Sequence, residues 1–363
     1  MQRRKFLTTF GAAAAGVAAA PFVSTAKAQN QVRWKMVTSW PKNFPALGTG
    51  ANDLAKRIEQ LSNGRMKVDV YGAGELVPAL EVFDAVSSGT AQMGHSAAYY
   101  WRGKVPAAQM FTAVPFGMTT AETNAWLYQG DGMKLWDELY AKHNLKPFVV
   151  GNTNTQMAGW FKKEINSLED MQGLKLRLPG LAGEAMEGIG VTTLNMPGSE
   201  IFTAMQTGVL DAADWVGPYN DLAFGLYQVA EFYYTTAWNE PSAALEGTVN
   251  LDAWKALPEE LQTVVSEATR SANLAMISEF TYHNARALKT LVEEHDVKLK
   301  SFPEDVLKAL YDSSQEVLAR QAEQDADSKR ILDSYRQFQQ LVSGYTDIGE
   351  FAYLKNRETV AKG

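Results

Sequence analysis

Apolar and polar positions alternate along "VRWKMVTSW" (Val32–Trp40), a period of two that predicts a strand. The next stretch, "LGTGANDLAKRIEQLSNG", changes period. Leu54, Ile58 and Leu61 fall on one helical face, and Asn63-Gly64 supplies the stop. "RMKVDVYGAGEL" reads as a second strand running into a glycine-rich loop. "PALEVFDAVSSG" reads as a helix with Pro78 near its start and Gly89 closing it. "TAQMGHSAAYYW" then gives a strand and an aromatic loop. Strands alternating with helices predict an α/β fold.

Two stretches break this rhythm. "FVVGNTNTQMAGWFKKEI", from Phe148, and "EFYYTTAWNEPSAALEGTVNL", from Glu231, are β-rich and poor in helix formers. They are expected to cross between two lobes. A second α/β unit, Asn166 to Tyr233, lies between them. From Leu257 a single helical pattern of about 38 residues follows, roughly 57 Å if straight, and another long one starts at Pro303. Such helices suit either bracing of the molecule or a subunit interface. The expected organisation is a first part of lobe I over 29–152, lobe II over 153–240, and a return to lobe I with the long helices over 241–363.

One internal match ties the lobes together. "EVFDAVSSGTAQMGH" begins at Glu81 and "EIFTAMQTGVLDAAD" at Glu200, with Phe83/Phe202, Ala85/Ala204 and Gly89/Gly208 in step. The match predicts equivalent helix–glycine–strand units and makes His95 and Asp214 equivalent. Ligands of open α/β sheets collect beyond the carboxyl ends of strands, so both residues are expected at a shared cleft.

The N-terminus reads differently. Arg3, Arg4 and Lys5 precede a mildly apolar run and Ala26-Lys27-Ala28, the pattern of a signal peptide over 1–28, and the paired arginines resemble a twin-arginine signal. This predicts export to the periplasm. Losing Arg3, Arg4, Lys5 and Lys27 takes the formal charge from −7 to −11. So acidic a chain would repel nucleic-acid backbones, which argues against that partner. There is no cysteine, hence no disulfide, thiolate nucleophile or thiolate metal site.

Catalytic signatures are missing. There is no G-x-S-x-G, H-E-x-x-H or Walker A pattern, and the four histidines (His95, His143, His283, His295) are dispersed. The residue types instead point to binding. Arg177 ends the short alternating run "GLKLRLPG"; a guanidinium there offers a planar fork for a carboxylate, although strand arginines also serve on surfaces. Asp214 and Trp215, in "DAADWVGPYN", combine a carboxylate suited to a hard cation with an apolar wall; an Asp before a turn also caps its own backbone. Gln156, on one crossing, has an amide that suits a cation or a carboxylate. Glu240, in "WNEP", stands on the other. "HSAAYYW" (His95–Trp101) would close one side of a pocket, or serve simply as core.

"INSLEDMQGLKLRLPG", followed by "GEAMEGIGVTTLNMPGSEIFTAMQTGVLDAADW", resembles the central signature of TRAP-transporter solute-binding proteins, the DctP family. "AGELVPALE", "GNTNTQMAGWF", "DWVGPYND" and "EFYYTTAW" resemble its TakP-like branch, which binds 2-oxo acids, and that branch's lactate-binding relatives. The resemblance implies a two-lobed periplasmic receptor with hinge strands, closing over a small carboxylate and delivering it to the permease subunits. It implies that Arg177 fixes the carboxylate and that His95, Ser96 and Ala97 touch the substrate. It also implies that Gln156, Asp214, Glu240 and the Trp215 carbonyl hold Na⁺ or Ca²⁺ beside the substrate. Asp214 departs from the Glu common in the 2-oxo acid branch and is closer to the calcium-lactate type, which leaves the ligand between pyruvate-like and lactate-like. Branch members also form helix-exchanged dimers, giving the long C-terminal helices a use. An exported metal-dependent enzyme is the alternative of another class, with His95 as its only plausible base.

Overall fold

The computed structural model describes residues 31–235 and 237–362. The expected signal peptide and its cleavage site lie outside the described residues.

Among the described residues, eleven strands form two sheets. The first holds β1 (Val32–Thr38), β2 (Met66–Tyr71), β3 (Met93–Ser96), β4 (Leu145–Asn152) and β10 (Ala244–Asn250), in the order β2-β1-β3-β10-β4. The second holds β5 (Gly159–Phe161), β6 (Lys175–Arg177), β7 (Thr192–Leu194), β8 (Ala212–Ala213), β9 (Phe232–Tyr234) and β11 (Lys298–Lys300), in the order β11-β9-β5-β8-β6-β7. β1 runs parallel to β2 and β3, and β6 runs parallel to β7 and β8. The one strand antiparallel to its neighbours is β10 in the first sheet and β5 in the second. Read from opposite ends, β2-β1-β3-β10-β4 and β7-β6-β8-β5-β9 therefore have the same directions position by position. The internal match found in the sequence is thus structural. Helix Val82–Ser87 leads into β3 and helix Gly198–Thr207 into β8, each through a glycine in the left-handed region, Gly89 at φ 79° and Gly208 at φ 82°.

Local sequence explains these elements. Helix Leu47–Leu61 buries Leu47, Ala51, Leu54, Ala55 and Ile58, one stripe at helical spacing. The helix expected from Pro78 starts only at Val82, because Pro78 and Glu81 close a turn through Glu81 N–H to the Pro78 carbonyl (3.0 Å). β10 is buried along its whole length, and Glu246 is buried with it. The Glu246 carboxyl accepts hydrogen bonds from Trp101 Nε1 (2.5 Å) and the Tyr140 hydroxyl (2.7 Å). Burial still pushes its pKa up to about 7.

Segments 153–158 and 237–243 lie between strands of the two sheets and run side by side. Thr153 N donates to the Ala243 carbonyl (3.1 Å), Gln156 N to the Glu240 carbonyl (3.1 Å) and Ala158 N to the Tyr234 carbonyl (2.8 Å). The paired crossings keep Gln156 and Glu240 in fixed register. The predicted long helix is Glu259–Glu293, 35 residues. It packs on β4, on helix Leu47–Leu61 and on helix Pro218–Phe224, so it spans elements that follow strands of both sheets. The second helical stretch is Glu304–Gln324, broken at Asp325. The Asp325 carboxylate caps helix Ala326–Thr346 by accepting from Ser328 N (2.7 Å).

Candidate functional site

The carboxyl ends of four parallel strands, two from each sheet, converge. Trp40 follows the end of β1, and its ring lies 6.2 Å from each of His95 on β3, Tyr100 beyond β3 and Trp215 beyond β8. Arg177 is the last residue of β6 and is fully buried. Its Nη2 reaches across to the Tyr100 hydroxyl (3.3 Å).

Arg177 is held from behind. Nη1 donates to the Asp214 carbonyl (2.8 Å) and Nε to the Met196 carbonyl (3.3 Å), while the Trp215 ring lies 5.2 Å from the guanidinium carbon. A guanidinium has five N–H groups, so one remains on each terminal nitrogen, the pair that matches the two oxygens of a carboxylate. Trp215 is positioned by the absence of a side chain at Gly198: a Cβ there would sit 2.3 Å from the indole.

Next to the arginine is a group of buried oxygens that lack donors. Asp214, Gln156, Glu240 and Asn239 are each 4% exposed or less. Asp214 Oδ2, Gln156 Oε1, Glu240 Oε2 and Asn239 Oδ1 have no hydrogen-bond partner. Burial pushes the Asp214 carboxyl up to about 7, opposed by the positive charge of Arg177. Burial raises Glu240 well above the ordinary carboxylate range, and the Asp214 charge adds to this. Unpartnered buried acceptors are costly, and a hard cation with oxygen preference relieves that cost. Among the described residues no three His, Cys, Asp or Glu side chains gather to hold a metal. The set fits one only through its amide oxygens, with two carboxylates supplying charge.

His95 is fully buried, and its Nδ1 accepts from Trp40 Nε1 (2.8 Å). The proton therefore sits on Nε2, an unpartnered donor, and burial depresses the pKa to about 4. With its Nδ1 lone pair occupied and Nε2 protonated, His95 is a fixed donor and has no free lone pair with which to act as a general base. Ser96 Oγ bonds to Ser39 Oγ (2.6 Å), which itself donates to the Ala79 carbonyl (2.7 Å), so the Ser96 proton is already used. The Ala97 carbonyl accepts from Tyr100 N (3.1 Å) and pins the aromatic turn.

Of the residues singled out in the sequence, Arg177, Asp214, Trp215, Gln156 and Glu240 come together, and His95 joins them through Trp40. Sequence reading missed Trp40 and Asn239. Trp40 carried a usable signal, because it closes the stretch read as the first strand, and ligands of open α/β sheets collect at the carboxyl ends of strands. Asn239 Nδ2 donates to Asp214 Oδ1 (3.3 Å), a contact that only the fold reveals.

Residues 36–325 match the family model described as bacterial extracellular solute-binding protein, family 7 (DctP). A monocarboxylate 2-oxoacid-binding periplasmic protein of Nostoc sp. is 41% identical over 97% of this chain and 98% of its own. A TRAP periplasmic solute-binding protein of Pseudoalteromonas atlantica T6c, solved with bound sodium and pyruvate, superposes with a TM-score of 0.87 at 41% identity, covering 90% of this chain and 99% of that one. Its counterpart from Colwellia psychrerythraea, with bound calcium and pyruvate, gives 0.88 at 39% identity and the same coverage. A TRAP solute-binding protein of Bordetella bronchiseptica RB50, a mixed-occupancy dimer with calcium and picolinate in one site, gives 0.88 at 36% identity over 91% of this chain and 98% of that one. Among the described residues no helix is long and apolar enough to cross a membrane. The chain belongs to the DctP family of extracellular solute-binding proteins, the two-lobed receptors of TRAP transporters, which bind solutes and are not enzymes.

Proposed function

We propose that this protein captures a small 2-oxo monocarboxylate of pyruvate size, together with Na⁺ or Ca²⁺, in the periplasm and passes it to the membrane subunits of its permease. The observation that carries this reading is the juxtaposition of a buried arginine with a free N–H on each terminal nitrogen and a set of donor-less buried oxygens. Arg177 takes the carboxylate. Gln156, Asp214, Glu240 and the Trp215 carbonyl hold the cation, which supplies a positive centre for the ligand's second oxygen. His95 offers Nε2–H, the turn at Ser96 and Ala97 carries Tyr100, and the rings of Trp40, Tyr100 and Trp215 bound the short tail. Relatives solved with pyruvate and either sodium or calcium support the ligand class and leave both ions in play. The shorter Asp214 carboxylate favours a second reading, a calcium-dependent receptor for a 2-hydroxy acid such as lactate.

The lobes are proposed as 29–152 with the return segment 241–363, and 153–240, with the paired crossings as hinge; β11 (Lys298–Lys300) departs from this division, because it pairs with β9 of the second sheet. Exposed apolar residues on the last helices, among them Leu341 and Tyr345 (both 74% exposed), Ile348 (79%) and Val360 (80%), support a homodimer built on that face. Sedimentation should give a dimer, and a monomer at micromolar concentration would contradict it.

Arg177→Lys keeps the charge and loses the fork. Calorimetry should show pyruvate affinity falling by the equivalent of about 2–5 kcal/mol, as when a buried charged hydrogen-bond partner is truncated. Unchanged affinity would remove Arg177 from the carboxylate site.

The pH dependence has a definite sign. Asp214 and Glu246, with pKa values of about 7, and Asp221, at about 6, bind protons more tightly folded than unfolded. Their contribution to stability is complete below about pH 4 and falls as pH rises toward 7. A cation at Asp214 and Glu240 offsets only their share. Added Ca²⁺ should therefore raise the melting temperature of the metal-stripped protein more at pH 7 than at pH 5; equal increments would contradict the assignment.

A further inference from the structure

The carboxylate and amide oxygens proposed to face the cation do not orient themselves. We infer that two neutral side chains, Thr153 and Asn239, are positioning residues that turn Gln156 and Asp214 toward the cation; this rests on the cation site proposed above.

Thr153 is 2% exposed and lies on the first crossing. Its Oγ1 donates to the Asn154 carbonyl (3.3 Å), which commits its proton and leaves a lone pair facing inward. Gln156 Nε2 donates to that lone pair (2.9 Å). A hydroxyl whose proton is committed can only accept from its second neighbour, so the amide NH₂ must face Thr153 and Oε1 must face the other way. Oε1 is the atom without a partner. The backbone repeats the constraint, since Thr153 N and Gln156 N are bonded to the Ala243 and Glu240 carbonyls. The amide is therefore set by backbone pairing as well as by the Thr153 hydroxyl.

Asn239 is 1% exposed and lies on the second crossing. Its Nδ2 donates to Asp214 Oδ1 (3.3 Å) and to the Met157 carbonyl (3.5 Å). A carboxylate only accepts, so the Asn239 NH₂ must face it. One carboxylate oxygen is thereby occupied and Oδ2 is left free. Each crossing thus contributes one neutral donor–acceptor contact that satisfies the far atom of a proposed ligand and leaves the near oxygen bare. Partners that orient metal ligands in this way typically contribute about 10- to 100-fold to metal affinity.

The test is Ca²⁺ titration by calorimetry, without organic ligand, on metal-stripped wild-type protein and on Thr153→Val, Thr153→Ser, Asn239→Ala, Gln156→Ala and Thr153→Val/Gln156→Ala. Thr153→Val preserves shape and should weaken Ca²⁺ binding about 10- to 100-fold. Thr153→Ser restores the hydroxyl and should bind within about twofold of wild type, and Asn239→Ala should lose about tenfold or more. Because Thr153 acts through the Gln156 amide, Thr153→Val should cost nothing further in the Gln156→Ala background. A loss of the same size in both backgrounds would make Thr153 a packing residue and overturn its role. Wild-type affinity in Asn239→Ala would overturn the role of Asn239. Each of these failures leaves the cation site standing, whereas a wild-type protein that binds neither Ca²⁺ nor, in a parallel titration, Na⁺ would overturn the site and the inference together.

Discussion

Everything in the cleft depends on how a fully buried guanidinium is held without a carboxylate partner. Arg177 is bonded to the carbonyls of Asp214 and Met196 and to the Tyr100 hydroxyl. A direct ion pair would consume the fork. Main-chain carbonyls orient it and leave N–H groups for an incoming anion. Burial strengthens that later interaction because little water remains to screen it. It also makes the empty site expensive, since two acidic side chains and one base share a low-dielectric space.

The acids are where the strain falls. Burial raises the Asp214 carboxyl to about 7 and raises Glu240 well above its ordinary range. A cation and an anionic ligand arriving together satisfy both the bare oxygens and the bare N–H groups. Neither would do so alone. The fold makes this arrangement possible by exchanging strands. β5 and β10 each run antiparallel within their sheets, and the crossings next to them carry Gln156 and Glu240. The residues proposed to hold the cation therefore lie on the crossings between the sheets, while Arg177, proposed to take the carboxylate, is on a strand end. On that proposal, occupying the site would join the crossings to the second sheet, a physical route from binding to closure.

Much of this was legible in the sequence. Helical and alternating periods located Leu47–Leu61, Glu259–Glu293 and the early strands. The match between Glu81 and Glu200 carried the pseudo-symmetry of the two sheets and paired His95 with Asp214 at strand ends. The motifs around Arg177 carried the family. What stayed hidden was contact across the fold. Nothing local marks Trp40 as the partner of His95, 55 positions away, or Asn239 as the partner of Asp214. The helix begins at Val82 rather than beside Pro78 because proline's fixed φ suits the first residue of a turn as well as that of a helix. The chemistry of Ser96 was also out of reach: its proton is taken by Ser39, which pattern alone cannot show.

The central claim is that Arg177 and a cation hold one 2-oxo carboxylate together. Calorimetric titration of metal-stripped protein with pyruvate, with no added ion, with Na⁺ and with Ca²⁺, tests it directly. The account predicts stoichiometric binding with at least one of the two ions and none, or far weaker binding, without either. Pyruvate binding of equal affinity in all three conditions would contradict the account, because the bare oxygens of Gln156, Asp214 and Glu240 would then have no part in holding the ligand.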